Sequence, residues 1–304
     1  MTFRDNLALY ANYAGDFETA EKEARAVEEP DMYATLALAL AQTGKGLLAE
    51  AADTYRKLAA INAQGASFSA SGLGDLAVHE GRYSDAVKIL ERGANADVEA
   101  NNADKAAMKL VSLANAQILR GQRGPAMAAA EKALQKSRAV PIRFLSARIF
   151  AQAGSTDKAR ALAESLAAEL PVEPQAYAKI LDGEAALAAG NPRQAIKVLL
   201  EANSMLDTWI GSFGLGRAYL EAGALPQADS QFDRSIKRRG EALSLFLDEE
   251  PTFGYFPPVY YYQGRVREGM KNAGFAESYR QYLKVRGAST EDQLLPEIRR
   301  RVGP

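Results

Sequence analysis

A glycine followed five residues later by an alanine recurs seven times, at Gly15/Ala20, Gly46/Ala51, Gly81/Ala86, Gly121/Ala126, Gly154/Ala159, Gly190/Ala195 and Gly223/Ala228. Twelve residues before each of these alanines stand Ala8, Ala39, Gly74, Ala114, Ala147, Gly183 and Gly216, all of them glycine or alanine. By subtraction the later alanines are 31, 35, 40, 33, 36 and 33 residues apart. A chain held to such a register is built by repeating one small unit, and this rules out most single-core folds before any other reading begins.

The unit has the physics of a helical hairpin. A small residue in the middle of the first helix and another near the start of the second let two antiparallel backbones pack closely, while the glycine ends the first helix in a left-handed turn. Four residues after the alanine, Tyr55, Leu90, Leu199 and Phe232 offer a larger apolar group, and Leu7, Leu38, Leu73, Leu113 and Leu215 precede the small residue. Pro125, Pro192 and Pro226 fall where second helices open, a position that needs no backbone N–H, and Pro30, Pro141 and Pro171 fall between hairpins. Nothing longer than a few residues reads as strand.

The unit resembles the tetratricopeptide repeat, a helix–turn–helix of about 34 residues. Phe213-Gly214-Leu215-Gly216-Arg217-Ala218-Tyr219, with Gly223, Ala228 and Phe232, carries the likeness most fully, and Leu73-Gly74, Gly81, Tyr83 and Ala86 give a second good copy. The first, fourth and fifth copies have Ala24, Ala130 and Ala163 where a bulky residue is expected. An eighth, degenerate unit follows, with Tyr260-Tyr261-Tyr262-Gln263-Gly264 in its first helix and Phe275 to Leu283 as its second. There Lys271 replaces the turn glycine and Arg280 the bulky residue.

The resemblance implies an all-α protein, a right-handed, elongated superhelix of about eight hairpins over residues 1–287, closed by a capping helix within 288–304 that starts at Pro296. Two places break the period. Residues 94–105 lengthen the link into the fourth unit, and an insertion of roughly 237–257 separates the seventh and eighth. The insertion reads Leu243-Ser244-Leu245-Phe246-Leu247-Asp248-Glu249-Glu250-Pro251, then Thr252-Phe253-Gly254-Tyr255-Phe256-Pro257-Pro258. Its aromatics and prolines suit a helix extension and a loop folded back on the stack. The alternative is a hydrophobic flap that narrows the groove near its C-terminal end.

Composition narrows the chemistry. Lys and Arg total 37 against 38 Asp and Glu, without the basic excess of a nucleic-acid binder. Zero cysteines remove disulfides, thiolate nucleophiles and Cys-based metal sites, and one histidine removes any multi-histidine site, so no cofactor or metal is expected. His79 closes the third unit's first helix and reads as a residue that satisfies a terminal carbonyl. Asp248, Glu249 and Glu250 read as a solvated acidic run rather than an acid–base pair. Gly214-Leu215-Gly216 follows no strand, so it is not a dinucleotide fingerprint. The run Met1-Thr2-Phe3-Arg4-Asp5-Asn6 carries an acid and leads straight into an amphipathic pattern, and no stretch has the ~18 apolar residues of a membrane span. These features point to a non-enzymatic chain in the cytoplasm.

Binding is the better case. In the family the first helices line a concave face, and the positions one after and three before the small residue point into it. Here the first row reads Leu9, Leu40, Asp75, Asn115, Arg148, Glu184, Arg217 and Arg265, and the second Asp5, Leu36, Ser71, Val111, Phe144, Ile180, Phe213 and Tyr261. Arg148, Arg217 and Arg265 beside Phe144, Phe213 and Tyr261 suit an extended peptide with carboxylates and an apolar anchor. The competing arrangement pairs these arginines with Glu184, Glu221 or Glu268. Asn115 is accompanied by Val111 and not by the lysine of a chaperone-tail clamp, which argues against that kind of adaptor. The expected function is a scaffold that holds an acidic peptide or protein segment in its groove. The alternative is the regulatory C-terminal part of a larger signalling protein, since Tyr260 to Arg265 also resemble repeat regions that follow bacterial serine/threonine kinase or regulator domains.

Overall fold

In a computed structural model, residues 3–27 and 30–303 are described; Met1 and Thr2 of the N-terminal run lie outside them. The seven registered hairpins are α1 (Phe3–Ala14) with α2 (Phe17–Arg25), α3 (Met32–Lys45) with α4 (Leu48–Ala59), α5 (Ala63–His79) with α6 (Tyr83–Glu99), α7 (Ala103–Leu119) with α8 (Arg123–Lys136), α9 (Val140–Ala153) with α10 (Thr156–Ala167), α11 (Val172–Ala188) with α12 (Pro192–Met205), and α13 (Trp209–Glu221) with α14 (Leu225–Lys237). A short helix, α15 (Arg239–Leu243), and a 3-10 turn (Phe253–Tyr255) lie in the insertion. The eighth hairpin is α16 (Pro258–Gly269) with α17 (Phe275–Arg286), and α18 (Leu295–Val302) ends the chain. The described residues contain no strand.

The repeat register explains why these segments stack. All seven turn glycines have φ between +74° and +90°, a conformation that a Cβ makes costly. Where the small residue of a first helix is glycine, it lies under the bulky residue of its own second helix. A Cβ on Gly74 or Gly183 would stand 2.5 Å from Leu90 or Leu199, and one on Gly216 would stand 2.8 Å from Phe232. The eighth unit reaches the same geometry with different residues. Lys271 takes the left-handed turn at φ +54°, and Tyr279, one residue before Arg280, covers Gly264. Side-chain caps fix several starts: Asp31 accepts from the N–H groups of Tyr33 and Ala34, and Asn62 accepts from Gly65.

One expectation needs correction. The extra residues before the fourth unit are not a longer loop, because α6 and α7 each run 17 residues and absorb them as helical turns. Asn101 makes the left-handed turn between them, and buried Lys109 pairs with Asp97 at 2.6 Å and donates to Ser67. That pair ties α7 to α6 and α5 at the point where the helices lengthen.

The late units also fold back against the early ones. Helix α15 packs on α1 and α3, and Gly240 sits against the backbone of Asn12, Tyr13 and Gly15. Arg239 lies over the Phe17 ring at 5.0 Å. Beyond α17, Ser289 donates to Gly81 O, Glu291 accepts from Ser84 N, and Glu291 lies 3.4 Å from Arg120. The late units are thereby fastened to the turn ends of the first, third and fourth. Helix α18 covers Tyr261, Tyr279 and Tyr282 with Leu295 and Ile298.

Candidate peptide-binding groove

The first helices share one face, and the insertion lies along it from α1 to α16. Of the two rows that line this face, Leu9, Leu40, Asp75, Asn115 and Arg148 in the first are buried, as are all eight residues of the second. The surface expected to be free for a ligand therefore holds residues 243–257 of the same chain. The insertion does fold back on the stack, as a short helix and a loop. As a flap it was expected near the C-terminal end, whereas it reaches α1, α3 and α5 at the other.

Its seat on α5 is built from buried polar groups. Asp75 Oδ1 accepts from Gly254 N at 2.8 Å, and the carboxylate also takes the N–H of Phe253. Burial pushes the Asp75 carboxyl up to about 7 in spite of these two donors. His79 faces the same turn: its ring stacks on Phe253 with centroids 4.8 Å apart, and Nδ1 lies 3.1 Å from Phe253 O. Burial lowers the imidazole pKa to about 3, so the ring is neutral and Nδ1–H donates. His79 thus satisfies a carbonyl of the insertion, not one at its own helix end. Arg286 of α17 completes the seat, donating to the carbonyls of Val78, His79 and Gly254, with Asp292 3.4 Å away.

The acidic run is not solvated as a whole. Glu250 is buried and pairs with Lys105 of α7 at 2.6 Å. Asp248 accepts from Ser244 Oγ and Glu250 N, and its backbone carbonyl accepts from the Tyr13 hydroxyl. The aromatics fill the middle of the groove. Phe246 lies 6.1 Å from Phe144 and 5.4 Å from Tyr177, and Phe256 lies 6.1 Å from Trp209, which itself stacks on Phe213.

The three arginines are not equivalent. Arg148 lies over Tyr255 of the insertion at 5.4 Å and pairs with Glu184 at 3.0 Å, while its buried Nη1 makes no hydrogen bond among the described residues. Arg265 pairs with Glu221 at 3.7 Å and lies over Tyr261 at 6.0 Å. Arg217 lies over Tyr262 at 5.4 Å and has no carboxylate partner among the described residues. Glu268 serves Arg301 and the Tyr279 hydroxyl instead. Of the three, only Arg217 and Arg265 remain half-exposed.

The residues that sequence reasoning missed are those that hold the insertion: Tyr13, Asp75, His79, Lys105, Trp209 and Arg286. Register puts Asp75 in the concave row, but no repeat register can signal a partner 179 residues away, the separation of Asp75 and Gly254.

Comparison with known proteins agrees with the fold. Residues 181–242 match the model of the tetratricopeptide repeat family. No curated protein matches the sequence. A monomeric IFIT1 mutant solved with m7Gppp-AAAA is 17% identical over 98% of this chain and 71% of that one, with a TM-score of 0.53. A chain of the APC/C hetero-tetramer Cut9–Hcn1 is 12% identical over 97% of this chain and 54% of that one, with a TM-score of 0.52. The yeast Sti1 TPR2AB domain in complex with an HSP90 peptide is 14% identical, covering 98% and 95%, at 0.35. Seven left-handed turns in one register, small residues seated under bulky ones, and the family match over residues 181–242 give this chain the fold of a tetratricopeptide repeat solenoid.

Proposed function

We propose that this chain is a non-catalytic scaffold that takes an extended protein segment on its concave face, and that residues 243–257 are the resident occupant of that site. The observation that carries this reading is the chemistry of the occupant. A looped segment with a buried carboxylate (Glu250) and aromatic anchors (Phe246, Phe253, Phe256) already lies along the first helices. The groove meets that segment with a lysine, an arginine face, a carboxylate for its amides and an aromatic floor. A partner segment of the same kind, acidic residues followed by aromatics, competes for the same groups, and its acids have Arg217 and Arg265 within reach.

The test uses a labelled peptide of residues 244–257 and a Phe256→Ala variant, which loosens the resident segment beside Trp209. Saturable binding with a change in Trp209 emission supports the reading, and the affinity of an acid-extended peptide falls at least fivefold when Arg217 and Arg265 are both changed to Ala. Absence of saturable binding, with the variant's helical content intact, refutes it.

A further inference from the structure

The outer face of α1 carries a stripe that the rest of the fold keeps covered. Phe3 is 81% exposed, Tyr10 67% and Leu7 36%, and at this spacing the three lie on one side of the helix. The repeat register tells what such positions do elsewhere. Phe3 stands five residues before the small residue Ala8, and Tyr10 stands two after it. Five before the small residue in the other seven units are Ala34, Ser69, Lys109, Ile142, Ala178, Gly211 and Val259, and every one is buried. Two after it, Ala41, Leu76, Ala116, Ile149, Ala218 and Val266 are buried, and Ala185 alone is exposed.

What buries them is the second helix of the preceding unit. Lys109 pairs with Asp97 of α6, and a Cβ on Gly211 would stand 2.3 Å from Asn203 of α12. Helix α1 therefore offers one half of the inter-repeat interface used throughout the stack. An end unit left to solvent ordinarily has a polar outer face. The opposite end follows that rule, since α18 turns Leu295 and Ile298 inward and leaves Arg299, Arg300 and Arg301 exposed. Helix α1 does not.

The same interface shows the kind of helix that fits. Where the first helix is small at the junction, the preceding helix is bulky: Gly72 lies under the Tyr55 ring. Where the first helix is bulky, with Ile142 and Ile149 in α9 at the positions of Phe3 and Tyr10, the preceding helix is α8, whose buried residues are Ala126, Ala129, Ala130 and Ala133.

We infer that α1 docks an alanine-rich amphipathic helix of a partner protein, seated as the second helix of a preceding repeat is seated. The probe is a fluorescein-labelled peptide of residues 122–137, the α8 sequence, titrated into the full chain and followed by anisotropy. Saturable binding is expected, weakened at least tenfold by Phe3→Glu or Tyr10→Glu and unchanged by Leu200→Glu on the exposed side of α12. A peptide carrying Ala129→Leu and Ala133→Leu should lose binding as well, because it sets bulk against bulk. Each chain variant should keep its melting curve, since Phe3 and Tyr10 are exposed. No saturable binding, or binding that these substitutions leave intact, overturns the inference. So does self-association in sedimentation that Phe3→Glu abolishes, which would make a second copy the occupant.

Discussion

Gly240→Ala probes the fastening of the insertion with a single methyl group. Gly240 lies in α15, and a Cβ there would stand 2.3 Å from Asn12 O, 2.5 Å from Gly15 N and 2.7 Å from Tyr13 O. All three are backbone atoms at the end of α1, so none can swing aside as a side-chain tip would. Helix propensity alone favours alanine over glycine by roughly 0.5–1 kcal/mol. The forced separation costs about 1–3 kcal/mol, at the upper end because backbone must move. The sum is a net loss of about 1–2 kcal/mol, with faster amide exchange confined to the end of α1 and to residues 239–257. Gly124→Ala is the control. Gly124 is helical too, and no atom comes within 4 Å of its Cβ position, so it should be neutral or stabilising. Urea denaturation of both variants with site-resolved exchange measures the difference. If Gly240→Ala matches Gly124→Ala in sign and size, α15 does not pack against the first hairpin and the reasoning fails.

Three further outcomes follow from buried charge. Burial raises Asp75 to about 7 from an unfolded value near 3.8, so stability present below about pH 4 is lost as pH rises through 7. A shift of that size is on the order of 4 kcal/mol. Asp75→Asn keeps an acceptor for Gly254 and Phe253 but should remove that loss, so wild type and variant should diverge between pH 4 and 8 in denaturant titrations. Arg286→Ala should cost about 3–5 kcal/mol, because it strands Asp292 and three carbonyls in the seat of the insertion, and melting measured at constant pH checks it. Lys109→Met should cost a similar ~3–5 kcal/mol by leaving Asp97 buried without its cation, while Lys109→Met with Asp97→Leu should recover most of it. Chemical denaturation of the two variants separates a stranded charge from lost packing.

The register made the repeated part of this fold readable because each hairpin is decided by local contacts. Gly81 must turn, Gly74 must admit Leu90, and both lie within one unit of sequence. Even the irregular eighth unit obeys the same geometry. Lys271 adopts the turn that glycine makes elsewhere, and a shift of one residue to Tyr279 covers Gly264, a substitution that a fixed offset from the alanine could not anticipate. The state of the groove was less readable. Register alone puts Phe144 and Arg148 on the concave face, but they are covered by Phe246 and Tyr255, which obey no register. Asp75, His79 and Lys105 look like unremarkable repeat positions until the aromatic turn at Phe253–Tyr255 and the carboxylate of Glu250 arrive from the far end of the chain. Lone exposed residues carry as little warning. Phe3 and Tyr10 are exposed at positions whose counterparts in the other units, Ala185 aside, are buried.

Amide hydrogen exchange across residues 244–256 tests the central claim most directly. The amides of Leu245, Asp248, Thr252 and Gly254 each donate within the concave face, the last to Asp75. Protection of these amides close to that of the flanking α14 and α16 is the predicted result. Exchange at the rate of an unstructured loop, with the repeat helices still protected, would contradict it.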